Sequence, residues 1–373
     1  LGEVGPMREE GKISAYQAMV YQVSIVLATA ILFVPAITAK HAKQDAWISV
    51  IIACFFGSLQ VYTAVSLARR FPDASVVQYA PLILGKVPGK VVGFVYLFYF
   101  FYVGYFVLQE FSALMCSSYM PRTPPIVFML VLSLLAVYAA YGGLEVICRM
   151  SSIVLTVVLA TMVLVVLLII KDIKIWRFLP ALENGLGPIL LGAIPPGGWF
   201  GETAVLLMLY PFIDNKEKVV KTSFLAILIL FIAMEMVVIG AVGLVGPTEA
   251  ACFLFPTFNM ARLIKLEALP ILERQDALFM MIWVAGMLIK LTTFFFAGVL
   301  GLAQWLNVKD YRPLILPSMA IMMALAVQAW ENIAELFAFS GEVFPLTIIF
   351  VNFIITIFLL ITAGIRHIST RKA

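Results

Sequence analysis

Charged side chains make up only 12% of this 373-residue sequence, about half the share carried by a typical soluble domain. No polar stretch is long enough to hold a sizeable domain outside a membrane. Histidine is nearly absent: His41 and His367 both flank apolar runs. A zinc site or a Ser/His/Asp triad therefore has no material. The four cysteines, Cys54, Cys116, Cys148 and Cys252, form no CxxC or Cys/His cluster and read as small buried hydrophobes. Strict alternation of apolar and polar residues is missing too, which excludes a transmembrane β-barrel. The net charge of +4 is no nucleic-acid signal, because the basic residues sit in short loops between apolar runs. No metal or cofactor is expected, and nothing supports an enzyme.

What is present is apolar: 63% of the residues are hydrophobic. They fall into ten runs, at about 13–38, 46–68, 89–118, 124–141, 146–170, 187–212, 219–246, 277–303, 312–330 and 343–365. Each can cross roughly 30 Å of hydrocarbon as a helix. The first run is long and lacks a small-residue cleavage site, so it reads as a span rather than a cleaved leader, with Met7 an alternative start. With the N-terminus in the cytoplasm, fifteen of the 25 Lys and Arg fall on the cytoplasmic side and nine on the other, Lys290 lying inside a span. That bias places both termini inside. One transmembrane domain over 1–373 is expected, as two halves, about 13–170 and 187–366. An odd number of spans per half makes the repeats opposite in direction.

Three connections carry pattern. Residues 70–90 predict a short cytoplasmic helix closed by Gly85. Within 247–276, the spacing of Met260, Leu263, Ile264 and Leu266 predicts an amphipathic helix at the outer surface. Residues 331–342 carry Glu331, Glu335 and Glu342 without Lys or Arg, and read as a small acidic outer cap.

Each half opens on a span with small or helix-breaking residues near its middle. In the sixth, Pro195-Pro196-Gly197-Gly198 is followed by Gly201 and Glu202. Prolines remove donors and glycines permit non-helical dihedrals, so an unwound segment is expected, with a plain proline kink as the alternative. Glu202 then falls in the first turn of a second half-helix, to hold a ligand amine, exchange a proton or simply cap. In the first span Ala28-Thr29-Ala30 and Pro35 occupy the equivalent place; small residues also serve helix packing. Glu110, Glu235 and Lys290 lie inside spans. Intramembrane charges point to function by default. Lys290 reads either as the partner of one of these glutamates or as an ammonium standing where a coupling cation would bind. Tyr96, Tyr99, Tyr102 and Tyr105 recur every three residues on the third span, as packing or as a ligand face.

These residues carry a resemblance. SIVLATAILFVPA (24–36), RRFPDASVVQYAPLILGKVPGK (69–90), WFGETAVLLMLYPFI (199–213) and WVAGMLIKLTTFFFAGVLGLAQWLNVKDYRPLILP (283–317) together resemble the permease-like B subunit of bacterial spore germinant receptors. That group is a branch of the amino acid–polyamine–organocation superfamily, and the resemblance covers nearly the whole chain. It implies an all-α LeuT-type fold of ten transmembrane helices in two inverted five-helix repeats, with helices one and six broken at midplane. It implies a germinant, typically an amino acid, bound between them, and a complex with a larger membrane A subunit and a lipid-anchored C subunit in the inner membrane of the spore. Carried onto this chain, the ligand site involves Ala28, Thr29, Ala30, Glu110, Gly198, Phe200, Gly201 and Glu202, with polar positions of the eighth span. Transporters of the superfamily usually have Gly-x-Gly in the first-helix break; the methyls of Ala28 and Ala30 narrow that space and restrict its dihedrals. Sensing is the leading function, with proton-coupled amino-acid transport the alternative.

Overall fold

The computed structural model describes residues 11–263 and 275–369. The spans are α1 (Ala15–Ala42), α2 (Ala46–Ala68), α3 (Lys86–Leu114), α4 (Pro125–Tyr141), α5 (Gly143–Ile169), α6 (Leu186–Gly201), α7 (Val219–Val245), α8 (Gln275–Leu306), α9 (Arg312–Ala329) and α10, which joins Ile333–Ile349 to Thr356–Ile365 through a π segment, Phe350–Ile355. Among the described residues seven segments are long and apolar enough to cross a membrane. The first of these, Ala15–Ala68, is α1 and α2 read through a tight turn. The 17-residue α4 and α6 with its tail complete the ten expected spans.

α1 is the axis of the bundle. It is buried along nearly its whole length, packed by α5, α6, α7 and α8. A helix apolar on every side has no solvent face to show, and burial on all sides is its stable placement. α6 lies between α2 and α10, and α3 packs on α8 and α9.

The two ends of the bundle sort as the loop charges suggest. At one end, Ile13 bridges Ile213, Lys216 Nζ donates to Pro72 O at 2.7 Å and to Asp73 at 3.1 Å, Arg366 donates to Ile83 O at 2.8 Å, and Trp305 donates to Lys90 O at 3.0 Å. Thus the N-terminal segment, the 70–90 and 213–218 connections and the C-terminal end share one side. At the other end, both Asp45 oxygens accept from Leu182 N–H at 3.0 and 3.1 Å, and Lys174 N–H donates to Gly243 O at 3.0 Å.

The expected short helix is Val76–Leu84. Ser75 and Gln78 form its capping box, and Gly85 ends it at φ +97°, a dihedral only glycine adopts at little cost. The acidic 331–342 segment is not a separate cap: from Ile333 it forms the first turns of α10, started by Asn332, whose side chain accepts from Glu335 N–H at 2.9 Å. The described part of 247–276 forms two short helices, Pro247–Cys252 and Pro256–Leu263. Phe255, Phe258 and Met260 are buried, so this part packs into the bundle rather than lying on it. Ile264 and Leu266 lie outside the described residues.

The break expected in α1 is corrected, and the one expected in the sixth span is displaced. α1 runs helical through Ala28-Thr29-Ala30 and past Pro35. Alanine is the best helix former, and no glycine here lowers the cost of unwinding. Pro35 deprives the Ile31 carbonyl of its helical donor, and the Thr257 hydroxyl supplies one instead. In the sixth span the helix also continues through Pro195-Pro196-Gly197-Gly198. Proline's fixed φ is itself helical, so the two prolines cost donors and strain the preceding turn without ending the helix. The change of helix type comes four residues later, as a 3-10 turn at Glu202–Val205.

Gly198 therefore serves close approach. An added Cβ there would lie 2.6 Å from Pro345 Cα of α10, a backbone atom that cannot move aside. Gly198→Ala is expected to destabilise the purified protein by about 1–3 kcal/mol. Gly187→Ala, where nothing lies within 4 Å, serves as the matched control. Thermal unfolding in detergent measures both, and equal melting temperatures would contradict the tight α6–α10 contact.

Candidate functional site

The change of helix type at the end of α6 coincides with a buried polar cluster. Glu202 begins the 3-10 turn, and its two oxygens each accept from Lys290 Nζ at 2.8 Å. The same ammonium donates to Thr29 Oγ1 at 2.6 Å, and Trp199 Nε1 donates to that oxygen at 3.1 Å. Lys290, Glu202, Thr29 and Trp199 are all 0% exposed. One ammonium thus ties α8, α6 and α1 together, and its three donors are all used. Each charged group offsets the burial cost of the other; left alone, either would be strongly unfavourable there.

A second set of bonds holds the turn from the far side. Asn352 Nδ2, in the π segment of α10, donates to Gly201 O at 3.0 Å and to Tyr99 Oη at 2.7 Å. Gln60 Nε2 of α2 donates to Gly197 O at 2.8 Å. Irregular backbone inside a membrane protein survives where such partners reach it. Trp283 Nε1 of α8 donates to Ala28 O at 2.7 Å, and its ring stacks on Phe111 at 5.8 Å between centroids.

Thr29, Glu202 and Lys290 meet, as the midplane reading requires. The partner of Lys290 is Glu202, not Glu110 or Glu235: the tie to the first helix is present, but the glutamate is the one at the helix-type change. Glu110 is fully buried on α3, and neither carboxylate oxygen has a hydrogen-bond partner among the described residues; the same holds for the oxygens of partly buried Glu235. Ala28 offers its carbonyl and its methyl, while Ala30 is buried in the apolar core. Phe200 packs where an added Cβ on Gly57 of α2 would sit, 2.5 Å away. Gly201 keeps helical dihedrals, φ −64° and ψ −22°, and gives its carbonyl to Asn352. Tyr96 and Tyr99 bond to α10, Tyr96 through Thr356 at 2.9 Å. Tyr102 stacks on Phe344, and Tyr105 lies on Trp330. The tyrosine stripe is thus a packing seam with two polar fastenings. Gln60, Trp199, Trp283 and Asn352 were not legible as site residues. The available signal was a lone amide inside an apolar run, costly there unless it has a structural or functional partner.

The ten-span helical bundle has the LeuT-type fold. The fold matches MhsT in complex with L-phenylalanine, with a TM-score of 0.66 over 95% of this chain and 98% of that one at 12% identity. It matches a sodium-coupled sialic acid symporter at TM-score 0.65 over 92% of this chain and 80% of that one, at 13% identity. By sequence, residues 12–333 match the spore germination protein family, and the chain belongs to that family. Spore germination protein KB of Bacillus subtilis (strain 168) is 25% identical over 91% of each chain, and spore germination protein YndE of the same organism 23% over 79% of this chain and 81% of its own. The chain is therefore an integral membrane protein of the germination permease type, with a role in nutrient sensing or transport.

The ion pair makes a sharp stability prediction. Removing one partner leaves the other buried and uncompensated, costing about 3–5 kcal/mol. Lys290→Met and Glu202→Leu are each expected to lower the unfolding midpoint strongly. The double variant is expected to recover most of the loss, as read by a double-variant cycle on thermal unfolding. Additive losses would contradict a direct pair.

Proposed function

We propose that this chain is the ligand-sensing subunit of a spore germinant receptor in the inner spore membrane, with both termini cytoplasmic, and that its ligand is an amino acid bound at midplane. The observation that carries the reading is the Lys290–Glu202 pair held on Thr29. An amino-acid zwitterion presents the same two charges in reverse. Its amine can take the Lys290 place on Glu202 while its carboxylate takes the Glu202 place on Lys290. Charge stays balanced throughout, which a lone amine or a lone acid would not allow in this core. The L-phenylalanine bound to MhsT supports the same ligand class.

Lys290 holds Thr29 of α1 and Glu202 of α6 together, the work a bound cation would do, so binding is independent of sodium. The unbroken α1 favours sensing over transport, because a helix without glycine at its centre resists the hinge bending of a full access cycle. A ligand-biased state change needs only a few kcal/mol of differential affinity. Signalling then passes to the A membrane subunit and the C lipoprotein subunit. Proton-coupled amino-acid transport is the second reading, favoured by one observation: the buried carboxyl of Glu110, without a hydrogen-bond partner among the described residues.

Reconstituted into liposomes, the full chain is expected to bind an amino acid with the same affinity in sodium and in choline buffers. It is expected to accumulate none against an imposed proton or sodium gradient. Sodium-dependent binding would overturn the assignment of Lys290. Gradient-driven accumulation by the chain alone would make the transporter reading the right one.

A further inference from the structure

Glu235 takes no part in the cluster around Lys290. It lies on α7, three residues past the middle of the helix, or about 5 Å along its axis. That depth is far from both headgroup layers. Neither carboxylate oxygen has a hydrogen-bond partner among the described residues. A carboxyl in hydrocarbon has no water to serve instead, so its partner must be supplied by protein.

The position of Glu235 on the helix shows where that partner lies. Leu228, Ile232 and Ile239 are exposed, and with Glu235 they follow the four-three-four spacing of one helix face. Glu235 itself is half-buried. α2 packs beside α7. Its Phe55 is exposed, and the neighbouring Cys54 is within electrostatic reach of Glu235. The outward faces of α2 and α7 therefore form one seam, apolar except at mid-depth. In the chain alone both Glu235 oxygens are covered by the chain itself, and no donor meets them there. The stem stays on the face, so a change of side-chain rotamer brings the carboxyl out.

We propose that the α2–α7 seam is the docking face for a transmembrane helix of another chain, one that carries a lysine or arginine at mid-depth and pairs it with Glu235. Charge complementarity selects the occupant. A lipid tail fits the apolar rim but leaves the carboxyl unpaired, and the headgroups lie half a bilayer away. A second copy of this chain does not supply the cation. Among the described residues the Lys or Arg at the middle of a span is Lys290, which is fully buried on Glu202 and Thr29. A basic side chain from a different helix compensates the acid, and polar pairing of this kind holds helices together where hydrophobic force between them is small. Assigning that helix to the A membrane subunit rests on the germinant-receptor reading; the chemistry of the seam does not.

The test places a photocrosslinking amino acid at Ile232 of the full chain in lipid nanodiscs. The probes are two leucine–alanine transmembrane peptides that differ only at the central residue, lysine or leucine. The lysine peptide is expected to crosslink about tenfold more than the leucine peptide, and Glu235→Gln is expected to erase the difference. A crosslinker at Val157, on the exposed side of α5, is expected to show no preference. Equal crosslinking of both peptides at Ile232 in the otherwise unmodified chain overturns the pairing, whether or not the Gln variant folds. A preference that survives Glu235→Gln, or that is as large at Val157, overturns it too. In membranes that also contain the A subunit, crosslinking to it from Ile232 is expected. Crosslinking from Val157 instead overturns the seam as the receptor interface and leaves the receptor reading intact. Absence of any complex overturns the receptor reading, while a lysine preference at Ile232 still supports the seam.

Discussion

An ammonium and a carboxylate at the centre of an apolar bundle are tolerated only as a pair, and the arrangement of this protein follows from keeping that pair closed. Lys290 reaches Glu202 and Thr29 at 2.6–2.8 Å. That reach fixes how closely α8, α6 and α1 approach, and it gives the 3-10 turn at Glu202–Val205 a partner at its first residue. The far side of the turn is held by Asn352 and Gln60. Six of the ten spans, α1, α2, α3, α6, α8 and α10, thus meet through side-chain bonds within a few residues of one another. Between lipid-exposed helices there is little hydrophobic force to set relative position. Polar bonds and close packing set it here, the latter at Gly198 against Pro345 and at Phe200 against Gly57.

The spans were legible because their signal is strong and local. Long apolar runs must cross the membrane as helices, and the short helix within 70–90 announced itself through its mixed apolar and polar pattern and the glycine that ends it, Gly85. Thr29, Glu202 and Lys290 were legible as a polar minority in a hydrocarbon setting. Their pairing was not, because which glutamate meets Lys290 depends on the rotation of three helices. The helix breaks were misread for a related reason. Pro195-Pro196-Gly197-Gly198 has poor helix propensity, but propensity yields to packing. Gly197 O is bonded by Gln60, and Gly198 lies against Pro345, so the glycines provide proximity rather than freedom. Asn352 was missed because one amide in an apolar run does not say which carbonyl it serves.

In the proposed sensing role, the closed pair is the element a ligand acts on. Opening it in hydrocarbon exposes two uncompensated charges, so without a substitute the closed state dominates. A zwitterion is such a substitute, and only a ligand with both charges replaces both partners. Under that proposal the glycine-free centre of α1 would carry the change along the bundle axis, to the end where the N-terminal segment, the 70–90 helix and the C-terminal end are fastened together.

Calorimetric titration of the full chain with L-valine and with its two single-charge analogues, isobutylamine and isovalerate, tests this account most directly. The three share a side chain and differ in which partner of the pair they can replace. Exchange of a zwitterion for the Glu202–Lys290 pair predicts that L-valine binds and that each analogue binds at least about a hundredfold more weakly, since each leaves one buried charge unmatched. An amine or an acid binding within tenfold of L-valine would contradict it.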